Sequence, residues 1–147
     1  TEFSLAGING KNSEFHAAMG LCNLPHVADI IGSRRTLYAR YQSNLDGPQF
    51  QFQEVPVPSD YNCAYFPVIF ESEQVALQVV ETLNLHNIAP RRYFYPALSH
   101  LPYVKGQSMP IAESIAKRIL CLPMYNTLSV EEVDMICRLI KRVVKYG

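Results

Sequence analysis

Val130, Val133, Ile136, Cys137, Ile140, Val143 and Val144 fall three and four residues apart up to the end of the chain. That spacing is one face of an α-helix, and a helix with one apolar face needs a second layer to cover it. Its start is also marked. Ser129 stands as N-cap and Glu132 follows three residues on, the pattern of a capping box. Lys141, Arg142 and Lys145 lie near the other end, where the helix dipole favours cations. The chain must therefore supply a layer against which this final helix, spanning about 129–143, can pack.

The upstream sequence offers both helices and strands. Residues 13–21 read as a short helix with Ser13 as N-cap. A longer amphipathic helix begins at Pro25, carries Val27, Ile30, Ile31, Leu37, Tyr38, Tyr41 and Leu45, and stops at Asp46-Gly47-Pro48. Residues 49–55 then alternate with period two, as a half-buried strand does. Residues 63–70 are nearly all apolar and read as a strand lying deep in a sheet, with Pro67 suited to an edge or a bulge. A helix follows over 73–84, a strand over 88–95, and an ordered loop over 96–108. Pro110 opens another helix, and 119–122 reads as a short strand before the final helix. This order predicts one α+β domain, a small, mostly antiparallel sheet packed by helices.

Several function classes are excluded or disfavoured. The 13 basic and 13 acidic residues cancel, so the chain has no electrostatic footprint for nucleic acid or an anionic membrane. No apolar run approaches the about 20 residues that span a bilayer, and no signal peptide is visible. The expected location is the cytoplasm. Cys22, Cys63, Cys121 and Cys137 form no CxxC pair and read as buried free thiols. His16, His26, His86 and His100 share no metal-ligand spacing, so no metal site is expected. Gly10-Lys11 lacks the earlier glycine and the following Ser or Thr of a phosphate-binding loop, and no GxSxG elbow occurs. No catalytic residue is assigned within this chain. The first residue is Thr1, in a phrase without an entry signal, which leads to the expectation of a fragment.

Four phrases carry a resemblance. Gly7-Ile8-Asn9-Gly10-Lys11-Asn12-Ser13-Glu14 precedes a helix containing Ala17-Ala18; Arg34-Arg35 is followed by Tyr41 and Leu45; residues 88–96 read IAPRRYFYP, with Tyr103 after them; and Ala112-Glu113, Ala116, Arg118, Leu120 and Leu122-Pro123 close the series. In this order they resemble the DegT/StrS-type nucleotide-sugar aminotransferases, over almost the whole chain. The likeness is greatest to the branch acting on dTDP-linked 4-keto-6-deoxy sugars.

The resemblance implies the C-terminal domain of an aspartate-aminotransferase-type fold, preceded by interdomain helices at about 13–46. It implies a homodimer that uses pyridoxal phosphate to move an amino group from glutamate to a nucleotide-linked keto sugar. The lysine that binds the cofactor belongs to a larger domain absent from this chain, so the chain alone is expected to be inactive and to bind no cofactor. Asn9 and Lys11 take the place of a loop that reaches the neighbouring subunit's cofactor, where Lys11 would act as a point charge on the phosphate. Arg91, Arg92, Tyr93 and Tyr95 resemble the segment edging the sugar-nucleotide pocket. The residues also permit a blander arrangement: a solvated Lys11, and a strand with one arginine in solvent and its tyrosines in the core. A free-standing interaction or dimerisation domain without catalysis is the alternative for the chain as a whole.

Overall fold

The computed structural model describes residues 10, 13–104 and 106–146. Ser13 has extended backbone and donates its N–H to His16 Nδ1 at 3.2 Å, opening α1 (Glu14–Asn23). A single 3-10 turn at Leu24–His26, with Pro25 inside it, leads into α2 (Val27–Asn44). The two helices differ sharply in burial. Nothing in α1 is buried, and Phe15 is 85% exposed. The second half of α2 buries Leu37 and Tyr41, and Leu45 follows them into the core.

A three-stranded antiparallel sheet follows, β1 (Gln51–Phe52), β2 (Phe66–Ile69) and β3 (Ile119–Leu122), in the order β1-β2-β3. One face carries Phe66, Val68, Phe70, Leu120 and Leu122 into the core. α2, α3 (Glu73–Leu85) and α5 (Val130–Tyr146) contribute the rest of that core. Ser72 caps α3, its Oγ accepting from Val75 N–H at 3.2 Å, and Ala76, Val79 and Leu83 face inward. α4 (Pro110–Arg118) runs directly into β3.

The final helix forms as its pattern dictates. Ser129 N–H donates to Glu132 Oε2 at 2.7 Å, and Glu132 N–H donates to Ser129 Oγ at 3.1 Å. Val133, Ile136, Cys137 and Ile140 are buried. α2 and α5 are joined at their polar edges. Arg40 Nε and Nη2 each approach Asp134 at 2.7 Å, and Asn44 Nδ2 donates to the same carboxylate at 2.7 Å. Tyr41 Oη donates to Pro123 O at 3.1 Å, linking α2 to the turn after β3.

Three expectations about strands need correction, and one cause accounts for two of them. Pro67 lies in the central strand rather than at an edge. Cys121, its partner across β3, exchanges both backbone bonds with Arg91 on its other side, at 3.0 and 2.8 Å. Pro67 and Cys121 therefore form a non-hydrogen-bonded pair, and the Pro67 nitrogen faces β1. The next ladder position on that side would join Pro67 to Gln53, and proline has no N–H to give. The strand expected over 49–55 accordingly shortens to Gln51–Phe52. The strand expected over 88–95 reduces to the single bridge between Arg91 and Cys121. Two residues along that ladder Ala89 would face Pro123, which has no N–H to give, and on the other side Tyr93 N–H turns back to Arg91 O at 3.2 Å. The loop at 96–108 contains one 3-10 turn, Leu98–His100. Of the four thiols, Cys63, Cys121 and Cys137 are buried as expected, but Cys22 is exposed on α1, whose faces pack against nothing in the described core.

Candidate substrate-binding edge

Arg91 is fixed to the free edge of β3 by its two backbone bonds to Cys121. Side chains of successive residues in extended chain point to opposite sides, and the Arg91-Arg92 pair obeys this. Arg91 is exposed and lines a cleft of about 610 Å³ together with Tyr65, Tyr93, Cys121, Tyr125 and Glu132. Its guanidinium donates to Tyr93 Oη and lies 5.5 Å from that ring's centre. No carboxylate pairs with Arg91 among the described ion pairs. Tyr65 meets Tyr93 edge to face, with ring centroids 5.8 Å apart and planes at 74°.

Arg92 points the other way. Its Nη2 donates to Glu73 Oε1 at 2.8 Å and to Lys117 O at 2.7 Å, and its guanidinium stacks 3.8 Å over the Tyr95 ring. Neither Arg92 nor Tyr95 lines the cleft. Neither Tyr93 nor Tyr95 is in the core, so the arrangement with core tyrosines is not the one formed. Asn9 and Lys11, the expected cofactor contacts, lie outside the described residues.

Beyond the cleft, the face of the sheet away from the core forms an apolar groove of about 490 Å³ lined by Tyr65, Ile69, Tyr93, Phe94, Ile115 and Ile119. Behind it the loop after Tyr95 is held by one carboxylate. Glu113 accepts from Ser99 Oγ at 2.8 Å and from Met109 N–H at 2.9 Å, and the Met109 bond is the largest of the causes lowering its pKa. Burial raises the Cys121 thiol, which suits a packing residue better than a nucleophile. Among the described residues no group of three metal-ligating side chains occurs.

The sequence reading missed Tyr65, Cys121 and Tyr125 as lining residues. Tyr65 and Cys121 had a signal, since they alternate with the core residues Phe66 and Leu120. Tyr125 had none.

Residues 1–141 match the model of the DegT/DnrJ/EryC1/StrS aminotransferase family. The chain belongs to this family. Over 143 residues it is 36% identical to the dTDP-4-amino-4,6-dideoxy-D-glucose transaminase of Escherichia coli, covering 91% of this chain and 38% of that protein. Over 152 residues it is 30% identical to the enzyme of the same name from Shigella dysenteriae, covering 97% of this chain and 41% of that protein. The chain thus spans about two fifths of the length of these DegT-family relatives. Among solved structures it resembles DesI, determined in the presence of its TDP-sugar product, with a TM-score of 0.80 and 26% identity over 95% of this chain and 38% of that one. TlmJ from Streptoalloteichus hindustanus shares the fold, with a TM-score of 0.76 at 22% identity over 87% of this chain and 35% of that one.

The described residues do not themselves fit pyridoxal phosphate. Lys117, Lys141 and Lys145 are exposed on α4 and α5, and none faces the cleft. What the cleft offers is a cation, tyrosine rings and an apolar wall, with the Glu132 carboxylate engaged at its own helix cap.

Proposed function

We propose that this DegT-family chain forms the nucleotide-sugar side of a transaminase that moves an amino group from glutamate to a keto-deoxy sugar linked to dTDP. The observation that carries this reading is Arg91, a guanidinium without a carboxylate partner among the described residues, held by backbone bonds in the lining of a tyrosine-rich cleft. A guanidinium matches the paired oxygens of a diphosphate as a fork, which an ammonium does not. The exposed rings of Tyr65 and Tyr125, which line the same cleft, give aromatic surface for the sugar or base. Relatives named as dTDP-sugar transaminases support the choice of substrate.

Pyridoxal phosphate would supply the electron sink for such a transfer. Its lysine belongs to sequence beyond the described residues, and Asn9 and Lys11 are proposed to reach a partner subunit's cofactor phosphate in a cytoplasmic homodimer. Arg92 and Tyr95 do not line the cleft and are not proposed to touch the sugar nucleotide.

The test uses the intact enzyme with glutamate and a dTDP-linked 4-keto-6-deoxy sugar, with the amino sugar followed by mass spectrometry. Arg91→Ala is expected to raise KM for the sugar nucleotide by about tenfold or more, as loss of a charge-assisted hydrogen bond would. KM for glutamate is expected to stay within about twofold. No amino sugar from the wild type, or an unchanged sugar-nucleotide KM in Arg91→Ala, would refute the reading.

A further inference from the structure

We infer that Arg92 is a positioning residue for sugar-nucleotide binding, acting through the segment that presents Arg91 and Tyr93, and that Glu73 is its working partner. The inference rests on the proposed role of Arg91. The two neighbouring arginines are chemically alike but differently engaged. Arg91 is joined to the sheet by one isolated bridge, so its backbone has a single point of attachment to β3. On the other side, Arg92 reaches two separate elements with one nitrogen, the first turn of α3 at Glu73 and the last turn of α4 at Lys117 O. Its planar face lies on Tyr95, three residues along the same segment. With a side chain 21% exposed, Arg92 is largely withdrawn from solvent, whereas Arg91 is open to it.

The bridge holds the segment in the plane of the sheet, and the Arg92 clamp stops it from swinging about that bridge. Loss of the clamp leaves Arg91 attached but free to reorient, so a ligand must order it on binding. That cost appears in affinity for the group Arg91 meets. It does not appear in the handling of a substrate that Arg91 never touches. A lysine cannot replace this arrangement. An ammonium can pair with Glu73, but it has no planar face for Tyr95 and no rigid plane that holds two acceptors in fixed directions.

The experiment compares Arg92→Lys, Glu73→Gln and Arg91→Ala in the intact holoenzyme, each measured for KM of both substrates, for kcat and for thermal midpoint. Glu73→Gln alters a partly exposed first-turn residue and guards against a folding failure in Arg92→Lys. Both Arg92→Lys and Glu73→Gln are expected to raise KM for the sugar nucleotide by about three- to tenfold. kcat at saturation and KM for glutamate are expected to remain within about twofold. The double variant should cost less than the product of the two single effects, because both weaken the same clamp. An unchanged sugar-nucleotide KM in Glu73→Gln overturns the inference, as does an equal loss in both substrates that follows the thermal midpoint. If Arg91→Ala raises KM while the clamp variants do not, the positioning role fails and the reading of Arg91 stands. If none of the three raises it, both fall.

Discussion

Ile69 pairs with Gln51 across β1 and β2, and the next rung of that ladder would join Gln53 to the ring nitrogen of Pro67. The missing donor stops β1 there. Pro67→Val, a substitution of similar volume at a buried position, restores an N–H aimed at the vacant rung. The amide introduced by this change is expected to exchange slowly with solvent as Gln53 joins the strand, with stability changed by less than about 1.5 kcal/mol. Rapid exchange of that amide would show that something other than the missing donor ends β1. The proline itself was plain in the sequence. Its consequence was not, because the direction of the Pro67 nitrogen depends on Cys121 bonding to Arg91, 30 residues upstream in the chain. The same limit applies to the two arginines. Their placement on one short segment was legible, but which of them met a carboxylate depended on where Glu73 came to rest.

Elements whose boundaries are encoded locally formed where the sequence put them. The last helix has its capping box and its buried stripe, and β3 occupies 119–122 as read. The strands at 49–55 and 88–95 shrank because pairing needs donors on another strand. For α5, Ile136→Ala is expected to destabilise the domain by about 2–5 kcal/mol, and Lys141→Ala by no more than about 0.5 kcal/mol. Equal effects in a denaturant titration would mean that the buried face is misassigned. The joint between α2 and α5 is sensitive to acid. The Arg40 hydrogen bond, aided by Asn44, lowers the Asp134 carboxyl from 3.8 to about 2. A carboxyl whose folded pKa is depressed stabilises the fold above its unfolded value, and that contribution disappears as pH falls through the folded value. The destabilisation caused by Asp134→Asn is therefore expected to be full above pH about 4 and to shrink toward pH about 2. A difference between variant and wild type that stays constant over this range would remove Asp134 from the account.

The whole molecule has a dense half and a bare end. The core lies between the sheet and α2, α3 and α5, while Phe15, Met19, Leu21 and Leu24 remain exposed. Apolar exposure of this extent marks a contact surface more often than a solvated one, and the chain spans only 38% of its Escherichia coli relative. In the isolated 147-residue chain, the double change Phe15→Ser and Met19→Ser is expected to leave unfolding free energy unaltered to within about 0.5 kcal/mol. A loss as large as that from Ile136→Ala would show that α1 docks on the core in solution. The sequence announced α1 as a helix but could not announce its bareness, since a helical pattern does not say which body supplies the cover. β3, in the dense half, has a double allegiance. Leu120 and Leu122 are wedged among the helices, and Cys121 between them carries Arg91 on its backbone. Under the role proposed for Arg91, evolution has little freedom to retune ligand choice by sliding the arginine alone: a shift in its anchor disturbs two core side chains at once, so new specificities should arise first among Tyr65, Tyr93 and Tyr125, whose replacement leaves that anchor in place.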